Sequence, residues 1–126
     1  MRGFRVYDKQ EKRMIDNPCT EGMYLSGNGN LVKPASLTLY LMDRYVRMDS
    51  TGIMDKNGKE IYEGDIVKDT RGWVSEVRWD NLRGCFLGYH SKPRGDVYIE
   101  YVSREPKSTI IGNIYDNPEL LEEAKQ

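Results

Sequence analysis

Hydrophobic and polar residues alternate along much of this chain, which is the pattern of half-buried β-strands. The alternation begins at residues 4–7 and resumes at 13–15 after a charged reversal, so an N-terminal β-hairpin is predicted. Proline and glycine interrupt every run between residues 17 and 33, which predicts an irregular segment. The apolar residues of segment 37–48 fit both the alternation of a strand and the spacing of one face of a helix. Because β-branched residues are few there, a short helix followed by an extended piece is predicted.

Two tight reversals are marked in the middle of the chain. Asn57-Gly58 lies at the tip of the first, and both residue types tolerate the positive φ angles that a type I′ hairpin turn requires. Glu63, Gly64 and Asp65 make the second, and residues 66–68 leave it as a strand. From this point a series of short strands is predicted.

Residues 73–80 show the clearest alternation. One face of this strand carries Trp73, Ser75, Val77 and Trp79, and the other carries Val74, Glu76 and Arg78. Further strands are predicted at 85–89, 97–102 and 109–115, with an exposed loop over 90–96. Within the last strand, Gly112 suits a bulge or a close contact.

A short helix is predicted at the end of the chain. Asn117 is a favourable N-cap, and Pro118 is suited to the first helical position. Glu119 lies where the helix dipole favours negative charge, and Lys125 lies near the opposite end.

The predicted fold class is therefore mainly β. The strands suggest a small SH3-like barrel or a strongly bent antiparallel sheet, with an N-terminal β-hairpin lobe and a short C-terminal helix. The hairpin and loop lobe would occupy residues 1–50 and pack on a barrel-like core with its helix over residues 51–126. One continuous domain is the alternative.

Composition narrows the function classes. Nineteen Lys and Arg against twenty Asp and Glu give a formal net charge of −1. The chain therefore lacks the excess of basic residues that is typical of proteins that bind duplex nucleic acid, although a local basic patch is compatible with this composition. Cys19, Cys85 and His90 are three Cys or His residues in all, whereas a structural zinc site takes four ligands. No metal and no cofactor are expected.

The chain shows no apolar run long enough for a membrane span, and its first residues are charged rather than apolar. A cytoplasmic protein that does not contact membranes is expected.

Three segments resemble the YopX family. Residues 4–8 with 12–14 are similar to its opening, residues 51–67 to its central signature, and residues 111–121 to its C-terminal signature. Family members commonly carry an aromatic residue before the threonine of the central signature, where this chain has Ser50. The resemblance implies a largely β protein that is encoded by bacteriophages and prophages and made inside the host bacterium. It implies no activity, so no catalytic residues are carried over.

Candidate catalytic groups are poorly supported. Glu63 and Asp65 form a carboxylate pair on one turn, but no opposing acid, base or metal ligand is marked. His90 lies in a predicted loop, and the chain contains neither a Gly-x-Ser-x-Gly elbow nor a phosphate-binding glycine loop. No catalytic residues and no enzymatic activity are expected.

A surface of arginines beside a tryptophan is the one candidate binding site, since single-stranded nucleic acid uses cations for phosphates and rings for bases. Its members are Arg71, Trp73, Arg78, Arg83, Lys92 and Arg94. The structural alternative, which is favoured, points Trp73 and Trp79 into the core and pairs the arginines with Glu76, Asp80 and Asp96.

Two functional hypotheses follow, and a third is disfavoured. The preferred one is a non-enzymatic accessory protein that binds a host or phage protein, with self-association through a strand edge also considered. The second is a nucleic-acid-binding module that uses the 71–94 region. An enzyme is the disfavoured third.

Overall fold

A computed structural model describes residues 3–18, 23–25, 31–32, 44–70, 72–91, 97–101 and 108–124. The chain divides into two compact units, Met1–Asp49 and Ser50–Gln126. The boundary falls within one long strand, so each unit is described by itself.

The first unit is built from short antiparallel strands. They are β1 (Phe4–Asp8), β2 (Arg13–Ile15), β3 (Tyr24–Leu25), β4 (Leu31–Val32) and the first half of β5 (Tyr45–Met54). β1 pairs with β2 on one side and with residues 45–49 of β5 on the other, while β3 pairs with β4. The predicted N-terminal hairpin is confirmed. Of the predicted 37–48 segment, 37–43 lie outside the described residues, and the extended piece is observed from Tyr45.

The core of the first unit follows from the alternation in β1 and β2. Val6 and Ile15 are opposite each other in the register and pack with Met23 and Tyr45. Asp8 is fully buried at the end of β1. A buried carboxylate needs partners, and Asp8 accepts two hydrogen bonds from the Arg44 guanidinium, at 3.0 and 2.9 Å, besides two from backbone amides.

The second unit contains the larger sheet. Its strands are the rest of β5, β6 (Glu60–Tyr62), β7 (Asp65–Lys68), β8 (Val74–Asp80), β9 (Cys85–Ser91), β10 (Val97–Tyr101) and β11 (Thr109–Asn113). β6 pairs with β5, and the five-stranded sheet has the order β10-β9-β8-β7-β11 with antiparallel neighbours. The fold is mainly β, with a curled half-barrel sheet and a short C-terminal helix, as predicted.

The second unit buries residues on both faces of this sheet: Ile66 and Leu87 lie on one face, and a hydrophobic cluster lies on the other. Val67 and Val77 are buried together with Ile61 from β6, and Phe86 and Ile110 pack against them. The terminal helix α1 (Glu119–Ala124) packs near β8 and β9. The alternation in β8 thus places Val77 correctly, since it lies in the cluster that Val67 of β7 and Phe86 of β9 also join.

The Asn57-Gly58 reversal is at the predicted place, but its geometry differs. Among the described residues, Lys12 is the only non-glycine residue with positive φ, so Asn57 lacks the angle that a type I′ turn requires. Instead, the Gly58 amide donates to the Asp55 carbonyl at 3.1 Å, and of the two residues Asn57 and Gly58 only Gly58 has a positive φ, of 81°. The turn has this form because the buried Asp55 carboxylate accepts bonds from the amides of Asn57 and Lys59.

Gly112 lies at the irregularity predicted for the last strand. The register of β11 shifts between Ile110 and Gly112, and a Cβ on Gly112 would collide with the side chain of Asn117. The prediction that Asn117 caps the helix with its side chain is wrong. Its Oδ1 turns back to accept a bond from the Asn113 amide at 3.3 Å, and only its carbonyl accepts from the helix, from the Leu120 amide.

Candidate functional site

The predicted arginine and tryptophan surface is only partly visible. Arg71, Lys92 and Arg94 lie outside the described residues. Trp73, Arg78 and Arg83 are described, and they are distributed along β8 and its two flanking turns.

Trp73 ends the turn that joins β7 to β8. Its amide donates to Asp69 Oδ1 at 2.9 Å, and its carbonyl accepts from the Asp69 amide at 2.9 Å. Gly72 adopts a φ of 86° within this turn. The side chain of Trp73 is half-buried, so it is neither a fully exposed stacking platform nor a fully buried core residue.

Arg78 is held by a carboxylate on its own strand. Its Nε and Nη2 donate to the two oxygens of Glu76 at 2.9 and 3.0 Å. The guanidinium carbon lies 5.0 Å from the centroid of the Tyr89 ring, a distance suited to a cation–π contact. The hydrogen bonds to Glu76 raise the pKa of Arg78 above its ordinary value.

Asp80 organises the turn at the end of β8. One oxygen accepts from the amides of Leu82 and Arg83, both at 2.9 Å. The other accepts from Nη1 of Arg83 and from the Tyr89 hydroxyl, both at 2.8 Å. The bonds from the Arg83 amide and the Tyr89 hydroxyl lower the pKa of Asp80 to about 2.

Both described arginines of the predicted surface therefore pair with acids, as the structural alternative predicted. Glu76 and Asp80 are the acids named for this role, and their side chains are only 13% and 9% exposed. A phosphate would have to compete with these carboxylates for each guanidinium. The pairing with Asp96 stays a prediction, because Asp96 lies outside the described residues.

Trp79 does not point into the core as predicted. Its side chain is 41% exposed, with its ring edge-on to Phe86 at a centroid distance of 5.0 Å. Its Nε1 donates to Asn81 Oδ1 at 2.8 Å. Trp79 is next to the last residue of β8, where its ring packs on Phe86 at the end of the strand and stays partly exposed.

Leu82 is the functional candidate that sequence reasoning missed. It lies in the β8–β9 turn and is 96% exposed, the highest value among the described large hydrophobic residues. The signal was an apolar side chain in an otherwise polar reversal, Asp80 to Gly84. Trp79 and Leu82 together, here called the hairpin tip, present two apolar side chains on one β-hairpin.

The backbone at the hairpin tip is fixed by hydrogen bonds to the carboxylate and the carbonyl of Asp80. Asp80 bonds the amides of Leu82 and Arg83, and the Gly84 amide donates to the Asp80 carbonyl at 2.8 Å. Gly84 has a φ of 64°, the left-handed conformation that glycine adopts without strain. The turn therefore fixes the backbone conformation at Leu82.

Two of the candidate catalytic residues, Asp65 and His90, lie in positions that the fold explains. Asp65 is buried, and its Oδ2 accepts from the Tyr62 amide at 2.8 Å, which is the turn role expected of it. The backbone of His90 is part of β9, so the predicted exposed loop over 90–96 begins too early. The strand extends to Ser91 because residues 90 and 91 pair with Tyr98 and Val97.

Among the side chains that the structure describes, no three Cys, His, Asp or Glu residues are grouped to hold a metal ion. No helix in the described part of the chain is long and apolar enough to cross a membrane.

Comparisons with known proteins place this geometry in a family. The family described as YopX protein matches residues 3–122. The crystal structure of protein EF1440 from Enterococcus faecalis has 26% identity and a TM-score of 0.63, over 96% of this chain and 98% of that chain. The crystal structure of protein yopX from Bacillus subtilis has 22% identity and a TM-score of 0.56, over 96% and 97%.

No curated protein matches the chain. The family match covers nearly all of the sequence, and the two solved structures share the fold over the same length. The chain belongs to the YopX protein family.

Proposed function

We propose that this protein is a non-enzymatic accessory protein of a bacteriophage or prophage, and that it binds another protein in the cytoplasm of the host bacterium. The observation that supports this proposal is the hairpin tip, where Leu82 is 96% exposed and Trp79 is 41% exposed. Tryptophan is among the residues that contribute most to protein interfaces, and both side chains lose apolar exposure when a partner covers them.

The charges around the tip favour a protein partner over nucleic acid. Arg78 and Arg83 are already paired with Glu76 and Asp80, so their charge is largely compensated. A polar, charge-balanced rim around apolar side chains is typical of protein interfaces, whereas nucleic acid selects a net positive surface. The expected partner surface is an apolar pocket with a mixed-charge rim.

The experiment is affinity capture from phage-infected host cells with the full chain, followed by titration of each captured and purified protein. Leu82→Ser is the informative variant, because Leu82 makes almost no contacts that folding needs. Met54→Ser is the matched control, since Met54 is 47% exposed elsewhere in the second unit. Leu82→Ser is expected to weaken the complex about tenfold, and Met54→Ser to leave it unchanged. A partner that binds all three proteins equally would contradict the proposal.

The second candidate, nucleic-acid binding, is tested on the same proteins. Single-stranded oligonucleotides should show no binding that weakens with salt, because the described arginines are paired. Micromolar binding that falls with salt and is lost in Arg71→Ala would favour the nucleic-acid hypothesis over the protein hypothesis.

A further inference from the structure

The two outer strands of the five-stranded sheet differ in what occupies their free edges. The edge of β11 is capped by the loop that follows β5. The Ile110 amide donates to Asp55 Oδ2 at 3.1 Å, and the Ser108 carbonyl accepts from the Lys56 amide at 2.8 Å. Here a carboxylate and a loop amide take the place of a neighbouring strand.

The opposite edge carries no such cap among the described residues, where β9 is the one backbone partner of β10. An uncapped edge presents unpaired amides and carbonyls, and proteins usually protect it with Lys, Pro or a bulge. The sequence of β10, Val-Tyr-Ile-Glu-Tyr, contains neither Lys nor Pro, Glu100 is its one charged residue, and its register with β9 is regular over all five residues. Four of the five residues are strong strand formers.

We propose that β10 pairs antiparallel with β10 of a second copy of this chain, with the two-fold axis at Ile99. A second copy suits this edge because the strand can pair with itself without placing two acids opposite each other. In an antiparallel pair, two directly opposite residues point to the same face of the sheet. In a pair of identical strands related by a two-fold axis, one residue must therefore lie directly opposite its own copy, and the axis passes between these two residues.

A two-fold axis at Ile99 keeps the Glu100 carboxylates apart and pairs the full length of both strands. It places Tyr98 opposite Glu100 of the second copy and Val97 opposite Tyr101, so all five residues of each strand are paired and no acid faces an acid. An axis at Glu100 would set two carboxylates directly opposite, which is destabilising. An axis at Tyr98 would leave the last two residues of the strand unmatched.

The pairing would join two five-stranded sheets edge to edge through main-chain hydrogen bonds. The contact is short, so a weak and reversible dimer is expected rather than an obligate one. It does not involve the hairpin tip. Leu82→Ser should therefore leave self-association unchanged, which separates this inference from the proposed function.

The test is sedimentation equilibrium of the full chain from about 1 µM to about 1 mM, which spans the range of weak complexes. Two variants remove the same aromatic ring and differ only in the charge placed opposite Glu100. Tyr98→Glu creates two like-charge pairs and should raise the dimer dissociation constant about tenfold above that of Tyr98→Lys, which creates two opposite-charge pairs. The difference should shrink as salt is added.

A control and two contrary outcomes complete the test. Lys56→Glu, at the capped edge of β11, should leave the dissociation constant unchanged, and circular dichroism shows whether each variant is folded. A chain that is monomeric over the whole concentration range would overturn the proposal. So would a dimer that Tyr98→Glu and Tyr98→Lys affect equally, because residue 98 would then not lie opposite Glu100 of the second copy.

Discussion

Asp55 and Ile110 are 55 positions apart in the chain, and the Asp55 Oδ2 accepts the Ile110 amide hydrogen at 3.1 Å. The same carboxylate holds the amides of Asn57 and Lys59 through its other oxygen. Burial raises the pKa of Asp55, but the bonds from Ile110, Lys59 and Asn57 outweigh it and hold the pKa below its ordinary value. One buried side chain thus shapes the turn and fastens the last strand.

Asp55→Ala is therefore expected to lower the free energy of unfolding by about 3 kcal/mol, because three amides lose their acceptor. Asp55→Asn keeps an acceptor oxygen and should cost less. Lys56→Ala is the control, since the Lys56 side chain is exposed and only its backbone takes part. Urea unfolding measures all three, and equal stability of Asp55→Ala and Lys56→Ala would contradict this role.

The lowered pKa of Asp80 leads us to expect that the protein loses stability in acid. The pKa of Asp80 is lowered from 3.8 to about 2, chiefly by the bonds from the Arg83 amide and the Tyr89 hydroxyl. Because the folded pKa is the lower one, the stabilisation is fully present above the unfolded value and is lost as the pH falls from about 4 toward 2. Melting temperatures of the wild type and Asp80→Asn should differ at neutral pH and converge across this window.

The same site allows a direct check by NMR titration of the Asp80 carboxyl carbon. Tyr89→Phe removes one donor and should move the pKa of Asp80 upward from about 2. An ordinary pKa for Asp80 in the wild-type protein would show that the hydrogen bonds described at this turn do not form in solution.

A side chain at position 112 is expected to clash with Asn117. Gly112→Ala would place its Cβ against Oδ1, Cγ and Cβ of Asn117 and should cost about 2 kcal/mol of stability. In the Asn117→Gly background all three of these atoms are gone, so the same substitution should cost much less. A double-mutant cycle measures the difference, and additive effects would mean that the two residues do not meet.

Arg44 has two acidic partners of unequal importance in the first unit. Asp8 is fully buried and binds it at 2.9 Å, while Glu11 is 59% exposed and 3.9 Å away. The hydrogen bonds from Arg44, opposed by burial and aided by the amides of Glu11 and Gln10, lower the pKa of Asp8. Asp8→Ala should therefore cost about 3 kcal/mol and Glu11→Ala less than about 0.5 kcal/mol. Similar losses in the two variants would refute this asymmetry.

Local patterns were enough to predict most strands and several of their contacts. β3 and β4 were missed, because each is two residues long and lies within residues 17–33, where Pro and Gly predict an irregular segment. Alternation located β8, and residues two apart in a strand share a face, so the pairing of Arg78 with Glu76 could be foreseen. The link between Tyr89 and Asp80 could not, because it depends on the register between β8 and β9 and on a hydroxyl that reaches the turn.

The errors share a cause in tertiary structure. Alternation assigns Trp79 to the core-facing side, but it does not say how far along the strand the core extends. In the same way, Asn117 has the residue type and position of a helix cap. Its side chain instead turns to Asn113 and occupies the space where a Cβ on residue 112 would lie, which only glycine leaves available.

The Gly58 hydrogen bond bears on the chemical durability of the protein. An asparagine followed by glycine ages by cyclisation, in which the glycine nitrogen attacks the asparagine side chain and ammonia leaves. In this turn the Gly58 nitrogen donates to the Asp55 carbonyl, which keeps it from the Asn57 side chain. Stored native protein should retain Asn57 far longer than the unfolded chain, as mass spectrometry of aged samples would record.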